Sequence, residues 1–249
     1  MTAEVPSPAV EFRNVRKSYG ARPALEDFSL SVAPGETVAL VGPSGCGKTT
    51  ALKLVNRLLD ADSGQVLVSG RDVRAEEPVP LRRGIGYVIQ EGGLFPHWDV
   101  QNNIEIVPRL LGWSPERRHA RCEELLTMVN LPSSEFLRRR PRELSGGQRQ
   151  RVGFARALAA DPPIVLMDEP FGALDPIARR ALQQEFLDWK QRLKKAVLLV
   201  THDLPEAFRL ADRTAVMEGG RVHQFATRSE ILERPADDFV REFTSGNLP

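Results

Sequence analysis

The sequence is poor in cysteine and lacks long apolar runs, and each shortage excludes a class of protein. Two cysteines, Cys46 and Cys122, are too few for a disulfide scaffold and indicate a reducing compartment. No stretch approaches the about eighteen apolar residues of a membrane-spanning helix, so any membrane role would depend on a partner. The first residues contain neither a basic nor an apolar segment, and we therefore expect no signal peptide.

An excess of charge of one sign is also missing. The 34 Lys and Arg residues nearly balance 33 Asp and Glu residues, which leaves a net charge of +1. This balance provides no global field that would attract nucleic acid or an anionic membrane surface. Hydrophobic residues make up 41% of the 249 positions, which is ordinary for a globular chain with a sizeable core.

The most specific motif is a glycine-rich stretch, residues 42–49, which fits the pattern G-x-x-x-x-G-K-[ST] at every fixed position. A short apolar run precedes it, and a segment with helical spacing follows, so a chance glycine-rich turn is a poor explanation. The glycines allow backbone N–H groups to wrap an anion, Lys48 would reach the β- and γ-phosphates, and Thr49 would bind Mg²⁺. We predict a nucleoside triphosphate site formed by Gly42, Pro43, Ser44, Gly45, Cys46, Gly47, Lys48, Thr49 and Thr50.

A pair of carboxylates, Asp168 and Glu169, ends the continuous apolar run at residues 164–167. Such a run is typical of a parallel strand buried on both faces, and its carboxyl end faces the ligand crevice. One carboxylate can hold the shell of Mg²⁺ while its neighbour activates a water for in-line attack on the γ-phosphate. The alternative, an acidic pair that merely ends a strand beside a helix cap, is weaker because the glycine-rich loop is present.

A second candidate anion site is the turn formed by Ser145, Gly146, Gly147 and Gln148, which precedes a helical segment at residues 150–160. Alone, this turn would be read as a flexible N-cap. A serine hydroxyl and glycine N–H groups at a helix N-terminus can also bind phosphate. One chain would then have two phosphate-binding loops but would need only one triphosphate. This favours a head-to-tail dimer in which the nucleotide lies between the two subunits.

These motifs occur in the order found in the ATP-binding subunit of an ATP-binding cassette (ABC) transporter, which the chain resembles over nearly its whole length. The resemblance implies that Tyr19 stacks on adenine, that Thr49 and Gln90 bind Mg²⁺, and that Asp168 holds the water shell of the metal. It implies that Glu169 is the general base and that His202 contacts the γ-phosphate. Residues 145–148 would bind the ATP of the opposing subunit, and Asp175 would bridge the two sites. Simpler roles stay open for three of them. Tyr19 could end an edge strand, His202 could be a structural hydrogen-bonding residue, and Gln90 could end a strand.

The resemblance also implies the fold: an α/β phosphate-loop NTPase (RecA-like) core with a flanking antiparallel β subdomain and an inserted α-helical subdomain. We expect a single ABC ATPase domain over residues 1–249. Its core would comprise residues 1–91 and 156–249, and its helical subdomain, with the loop at 145–148, residues 92–155.

Within the family, residues 85–90, 93–97, 106–111 and 235–243 resemble the ATPases of glycine betaine, carnitine and choline importers. This resemblance implies ATP-driven uptake of an osmoprotectant at the cytoplasmic face of the inner membrane. The partners would be a transmembrane permease, a second ATPase subunit and, indirectly, an extracytoplasmic solute-binding protein, but no nucleic acid. Many such subunits continue into a regulatory tandem domain, which is not expected in a chain ending at residue 249.

The segment from Gly92 onward would meet the permease. In the family this region forms a groove for a short cytoplasmic helix, and the apolar lining here would be Leu94, Phe95 and Trp98. The alternative, that these side chains pack inside the helical subdomain, is equally compatible with each residue taken singly.

Three other functions compete with the importer. A soluble ABC ATPase of nucleic-acid repair or translation usually carries a long coiled coil or a second cassette, and this sequence has neither. A phosphate-loop kinase or a switch GTPase would leave residues 145–148 and His202 without a role. An exporter cassette is often fused to membrane helices, which the sequence lacks.

Overall fold

The structure of the chain, a computed structural model, describes residues 7–90 and 93–247. The chain forms two compact units, residues 1–82 with 194–249, and residues 83–193. The predicted boundary between residues 91 and 92 lies outside the described residues, as do the two chain ends. The predicted domain limits therefore stay a prediction, whereas the predicted α/β class is confirmed by strands and helices in both units.

The helices and strands follow one another along the chain in three stretches. The first unit begins with β1 (Val10–Tyr19), β2 (Arg22–Val32), β3 (Thr37–Val41), α1 (Lys48–Val55), β4 (Ser63–Val68), β5 (Arg71–Asp72) and, at its boundary, α2 (Pro78–Arg83). The second unit contains β6 (Ile85–Val88), α3 (Val100–Leu110), α4 (Pro115–Met128), α5 (Ser133–Phe136), α6 (Gly146–Leu158), β7 (Ile164–Asp168) and α7 (Pro176–Leu193). The first unit resumes with β8 (Ala196–Val200), α8 (Leu204–Leu210), β9 (Arg213–Glu218), β10 (Arg221–Ala226), α9 (Arg228–Glu233) and α10 (Asp238–Asn247).

The predicted antiparallel part lies in the first unit. Its four strands run in the order β2-β1-β4-β5, and Val10 of β1 pairs with Val32 on one side and with Val68 on the other. Alternating side chains of β1 and β2 are buried, as the period of two along a strand requires. The rings of Phe12 and Phe28 meet edge to face at 4.9 Å and fix the register on the buried side.

The remaining strands of the first unit run in the order β10-β9-β3-β8. β3 is parallel to both β8 and β9, whereas β9 and β10 form an antiparallel hairpin. Every residue of β3 and β8 is buried, because parallel strands covered on both faces need continuous apolar sequence. An ion pair at 2.5 Å between Glu36 and Arg213 joins the start of β3 to the start of β9.

The second unit has one parallel strand pair, β6 with β7, and most of the long helices. Its core is an aromatic cluster that joins α6 and α7, defined by Phe154, Phe171, Phe186 and Trp189, with ring centroids 5.4–6.4 Å apart. The indole N–H of Trp189 donates to the carbonyl of Met128 at 3.0 Å, which satisfies its polar group. Trp189 is thus a core residue.

Helix starts in the second unit follow the capping rules. The hydroxyl of Ser114 accepts a hydrogen bond from the backbone N–H of Arg117, and Pro115 occupies the first helical position of α4. Asp99 caps α3 in the same way through the N–H of Asn102. Throughout residues 7–90 and 93–247, every helix is too short or too polar to cross a membrane.

Candidate functional site

The glycine-rich loop joins the buried strand β3 to helix α1 in the first unit. A Cβ atom on Gly42 would lie 2.1 Å from the carbonyl oxygen of Met217, and one on Gly47 would lie 2.2 Å from that of Ala24. Gly47 also has a φ of 104°, which side chains rarely tolerate. Only glycine therefore fits at these two positions, as the motif predicts.

Lys48 lies inside the loop that precedes it. Its side chain is 6% exposed, and its ammonium group donates to the carbonyls of Gly42 at 2.7 Å and Pro43 at 2.9 Å. The Sγ atom of Cys46 lies 3.6 Å from the same nitrogen. Burial raises the pKa of the Cys46 thiol, although the charge of Lys48 acts in the opposite direction. The loop thus surrounds a cation at the N-terminus of α1.

The N-terminus of α1 has no side chain that caps it. Gly47 occupies the N-cap position in a left-handed conformation and, as a glycine, has no side chain that could accept a hydrogen bond from the helix. The first backbone N–H groups of a helix need partners from outside the helix, and they carry its partial positive charge. Together with Lys48, this helix end is suited to an anion such as a phosphate group.

His202 and Tyr19 are the other site residues predicted in the first unit. His202 is exposed and follows β8 by two residues, and the neighbouring Thr201 donates its N–H to the carbonyl of Leu40 in β3 at 3.2 Å. His202 and the glycine-rich loop therefore follow the carboxyl ends of adjacent parallel strands. Tyr19 is the last residue of β1, and its side chain is exposed, so its stacking role stays a prediction.

In the second unit, Asp168 and Gln90 likewise lie at or just after the carboxyl ends of two adjacent parallel strands. Asp168 ends β7, and Gln90 follows β6 by two residues, with Val88 of β6 paired to Met167 of β7. Glu169 comes next and has a φ of 44°, an uncommon backbone conformation for a residue other than glycine. Residues in such uncommon conformations cluster at active sites and ligand-binding sites.

Tyr87 is a neighbour of Asp168 that the motifs of the sequence do not include. It lies on β6 opposite Leu166, so Tyr87 and Asp168 are diagonal neighbours on one face of the strand pair. Burial, followed by the charge and hydrogen bonding of Asp168, raises the pKa of Tyr87 to about 12. In the sequence, the only sign of this contact with Asp168 is that a tyrosine lies one residue before the end of a strand.

The turn at residues 145–148 forms a capping box at the start of α6. The hydroxyl of Ser145 accepts from the N–H of Gln148 at 3.2 Å, and the Gln148 side chain accepts from the N–H of Ser145 at 2.9 Å. Arg149 closes the turn by donating to the carbonyl of Leu144 at 2.7 Å. The turn is therefore well ordered by its own hydrogen bonds, and Gly146 and Gly147 form the first helical residues.

Asp175 has a local role in the structure, and its predicted role between two sites stays a prediction. Its carboxylate accepts from the N–H groups of Ile177 and Ala178, both at 3.0 Å, and so caps α7. Arg179 donates to the carbonyls of Phe171, Gly172 and Leu174. These hydrogen bonds from Arg179 hold the segment between Glu169 and α7 against the start of α7.

The predicted partner surface includes one exposed aromatic side chain. Phe95 is 41% exposed, its ring lies 4.6 Å from that of Trp98, and Leu94 is half-buried. The buried amide of Asn103 accepts from the N–H of Phe95 and donates to the carbonyls of Phe95 and Trp98, which fixes this loop. The start of the predicted segment, Gly92, lies outside the described residues.

Comparisons with known proteins identify the family. The sequence profile of the family described as ABC transporter matches residues 25–172. The carnitine transport ATP-binding protein OpuCA of Listeria monocytogenes (serotype 1/2a, strain 10403S) is 51% identical over 94% of this chain and 59% of its own length. The glycine betaine uptake system ATP-binding protein YehX of Escherichia coli (strain K12) is 49% identical over 94% of this chain and 76% of its own. The chain spans less than two thirds of the first relative's length.

A solved structure agrees with the sequence relatives. The dimeric ATP-binding cassette MJ0796, in a post-hydrolysis state with ADP and Pi bound, superposes with a TM-score of 0.78 at 33% identity, over 88% of this chain and 98% of that one. The predicted phosphate-loop NTPase fold, with its antiparallel β part and its helical part, is thereby confirmed. The profile match over more than half of the residues, and the close relatives, show that this chain belongs to the ABC transporter family.

Proposed function

We propose that the protein is an ATPase subunit that powers the import of a small osmoprotectant through a membrane permease. The observation that carries the ATPase proposal is the loop around Lys48, which forms a cationic cradle at the uncapped N-terminus of α1. The relatives described above are named as ATP-binding proteins, and the solved cassette binds ADP and Pi. The proposed reaction is hydrolysis of ATP to ADP and phosphate.

The first unit would bind the triphosphate. The N–H groups at the start of α1 would donate to phosphate oxygens, and the Lys48 ammonium would leave the loop carbonyls to contact the β- and γ-phosphates. His202 would donate to the γ-phosphate, and Tyr19 would stack on the adenine. The residues proposed for these roles lie at the end of a strand, shortly after one, or at the start of a helix.

The second unit would supply the base. Glu169 would accept a proton from a water whose oxygen attacks the γ-phosphorus, while the bond from that phosphorus to ADP breaks. Ser145, Gly146, Gly147 and Gln148 would contact the ATP bound by a second copy of the chain, and Asp175 would lie between the two sites. A head-to-tail dimer of this kind gives each triphosphate two binding loops.

Mg²⁺ fits the donor set of the proposed site. The hydroxyl of Thr49, the amide oxygen of Gln90 and the carboxylate of Asp168 are the hard oxygen ligands that this ion prefers. Among the described residues, no group of three or more His, Cys, Asp or Glu side chains could hold a metal ion by itself. This fits an ion that is held jointly with phosphate oxygens. When bound, Mg²⁺ would neutralise charge on the phosphates.

The import role rests on the relatives and on the exposed aromatic loop. OpuCA and YehX are named for carnitine transport and glycine betaine uptake, which favours these solutes, or choline, over a role in nucleic-acid repair or translation. Phe95 would contact a short helix of the permease, with Trp98 behind it. Two copies of the chain would lie at the cytoplasmic face of the inner membrane and act on a solute delivered by an extracytoplasmic binding protein.

The ATPase proposal is tested with Glu169→Gln, which keeps the size of the side chain but cannot accept the proton. We expect wild-type ATP binding, a trapped dimer in size-exclusion chromatography with MgATP, and at least about a hundredfold loss of turnover. Lys48→Ala is the matched control, because it should lose ATP binding and form no dimer. Turnover of Glu169→Gln close to wild type would refute the role of the base.

The import proposal is tested in cells that lack the gene. Expression of the wild type, but not of Glu169→Gln, should restore uptake of radiolabelled glycine betaine, carnitine or choline. Tagged Glu169→Gln protein should also retain a multi-span permease from detergent-solubilised membranes, and Phe95→Glu should weaken that association. Recovery of only soluble proteins or nucleic acid, with no uptake of any of the three solutes, would contradict the import proposal.

A further inference from the structure

Arg22, the first residue of β2, lies against the glycine-rich loop. Its Nη2 atom is 3.5 Å from the position that a Cβ on Gly45 would take, which is ordinary van der Waals contact. Two residues further along β2, the carbonyl oxygen of Ala24 is 2.2 Å from the position of a Cβ on Gly47. The start of β2 therefore borders the loop at two points, and Arg22 brings a guanidinium to one of them.

The guanidinium of Arg22 differs in its partners from other exposed arginines of the same antiparallel sheet. Arg13 on β1 forms an ion pair with Glu11 at 2.8 Å, and Arg71 on β5 forms one with Glu76 at 3.2 Å. Arg22 is also exposed, but within residues 7–90 and 93–247 it makes neither an ion pair nor a side-chain hydrogen bond. Its charge therefore has no carboxylate partner in the part of the chain that the structure describes.

The loop beside Arg22 already carries positive charge. The ammonium group of Lys48 contacts only the carbonyls of Gly42 and Pro43 and the sulfur of Cys46, and the N-terminus of α1 adds the partial positive charge of the helix. A second cation at this place is repelled by the first, and a bound anion would relieve that repulsion. A guanidinium suits phosphate in particular, because its planar fork can donate two parallel hydrogen bonds to the oxygens.

We propose that Arg22 is a further nucleotide-binding residue, whose guanidinium contacts the phosphates of the ATP bound by the glycine-rich loop of the same chain. The inference rests on the proposed function, because it assumes that ATP binds at this loop. Arg22 pairs with Tyr19 across the turn between β1 and β2. The end of this hairpin thus holds the nucleotide at two places, the adenine through Tyr19 and the phosphates through Arg22.

The test compares Arg22→Gln with Arg13→Gln in calorimetric titrations of the full chain with ATP and EDTA, so that no hydrolysis occurs. Each variant removes one exposed positive charge from the same sheet. Arg13 precedes Tyr19 by six residues, about 20 Å at ~3.3 Å per residue, which exceeds the screening length of about 8 Å at physiological salt. We expect Arg22→Gln to raise the ATP dissociation constant about fivefold to thirtyfold, and Arg13→Gln to change it less than about twofold.

Three further measurements separate a phosphate contact from a structural role. Arg22→Lys keeps the charge without the fork, so its dissociation constant should lie between those of the wild type and Arg22→Gln. The difference between the wild type and Arg22→Gln should shrink as the salt concentration rises, because salt screens an exposed charge. In a Tyr19→Ala background, Arg22→Gln should weaken binding by the same factor as in the wild type, since the two residues contact different ends of the nucleotide.

Equal ATP dissociation constants for Arg22→Gln and Arg13→Gln would overturn the proposal. So would a loss that neither Arg22→Lys nor salt reduces, or one that disappears in the Tyr19→Ala background, because Arg22 would then act through the shape of the hairpin. If the wild type does not bind ATP, or Lys48→Ala binds it equally well, the proposed function fails and this inference fails with it. Wild-type binding that Lys48→Ala loses and Arg22→Gln keeps rejects the Arg22 contact alone.

Discussion

Gly47→Ala tests whether the shape of the glycine-rich loop follows from backbone geometry. Gly47 has a φ of 104° and precedes α1, and its missing Cβ would lie 2.2 Å from the carbonyl oxygen of Ala24 and 2.8 Å from a methyl carbon of Leu25. Real Cβ atoms essentially never approach another heavy atom closer than 3.0 Å, so the backbone must move.

The expected destabilisation has two parts. A left-handed conformation costs an alanine about 1–2 kcal/mol relative to glycine. Overpacking against a backbone carbonyl adds about 1–3 kcal/mol. The sum of about 2–5 kcal/mol is a large fraction of the about 5–15 kcal/mol that stabilises a typical protein. For a chain of this size, the midpoint of thermal unfolding should fall by about 4–20 °C.

Gly219→Ala is the matched control, because Gly219 has a φ of 55° and no atom within 4 Å of its missing Cβ. It should show the conformational part alone, about 1–2 kcal/mol. Differential scanning calorimetry and ATP titration of both variants measure the difference. If Gly47→Ala is as stable as Gly219→Ala and binds MgATP like the wild type, the loop does not require glycine at this position, and the reasoning is refuted.

Two further predictions concern titration and the dimer. The folded pKa of Tyr87, about 12, lies above the ordinary value of 10.0, so its contribution to stability is complete below about pH 10 and is lost as the pH rises toward about 12. Tyr87→Phe should therefore reduce the fall in unfolding free energy between these pH values, as measured by urea titration; an unchanged slope would contradict this. Ser145→Arg and Lys48→Ala are each expected to be inactive, but a mixture should recover ATPase activity, because one heterodimer site keeps both loops. A mixture without activity at any ratio would exclude action of Ser145 across the dimer.

The sequence predicts those parts of the fold that depend on local pattern. Continuous apolar runs predict β3, β7 and β8 because a parallel strand covered on both faces has little room for polar side chains. The exact bounds of α3 could not be predicted, since Pro108 lies inside this helix and proline normally ends one. In the structure Pro108 is buried in the last turns, and the Asp99 cap determines where the helix starts.

Contacts of the site that depend on register could not be predicted. Tyr87 becomes a neighbour of Asp168 only because β6 and β7 pair in parallel with Tyr87 opposite Leu166, and a shift by one residue would turn it to the other face. That Gln150 and Glu169 line one pocket depends in the same way on how α6 and the segment after β7 pack. Motif spacing predicts which residues would touch a ligand, but the neighbours of those residues become visible only when the strand pairing is known.

The turn at Ser145 shows why a simple structural role and a binding role need not exclude each other. Its hydroxyl caps α6 by accepting one hydrogen bond from Gln148, and the Gln148 side chain completes the box. A serine hydroxyl has two acceptor lone pairs and one O–H donor, so capping by acceptance does not use the donor. A phosphate oxygen needs a donor, and the cap fixes the hydroxyl at the helix N-terminus, where the dipole favours negative charge. The cap is therefore compatible with the proposed phosphate site, and substitution of Ser145 by glycine, a good N-cap, should preserve the helix but weaken the proposed binding of ATP across a dimer.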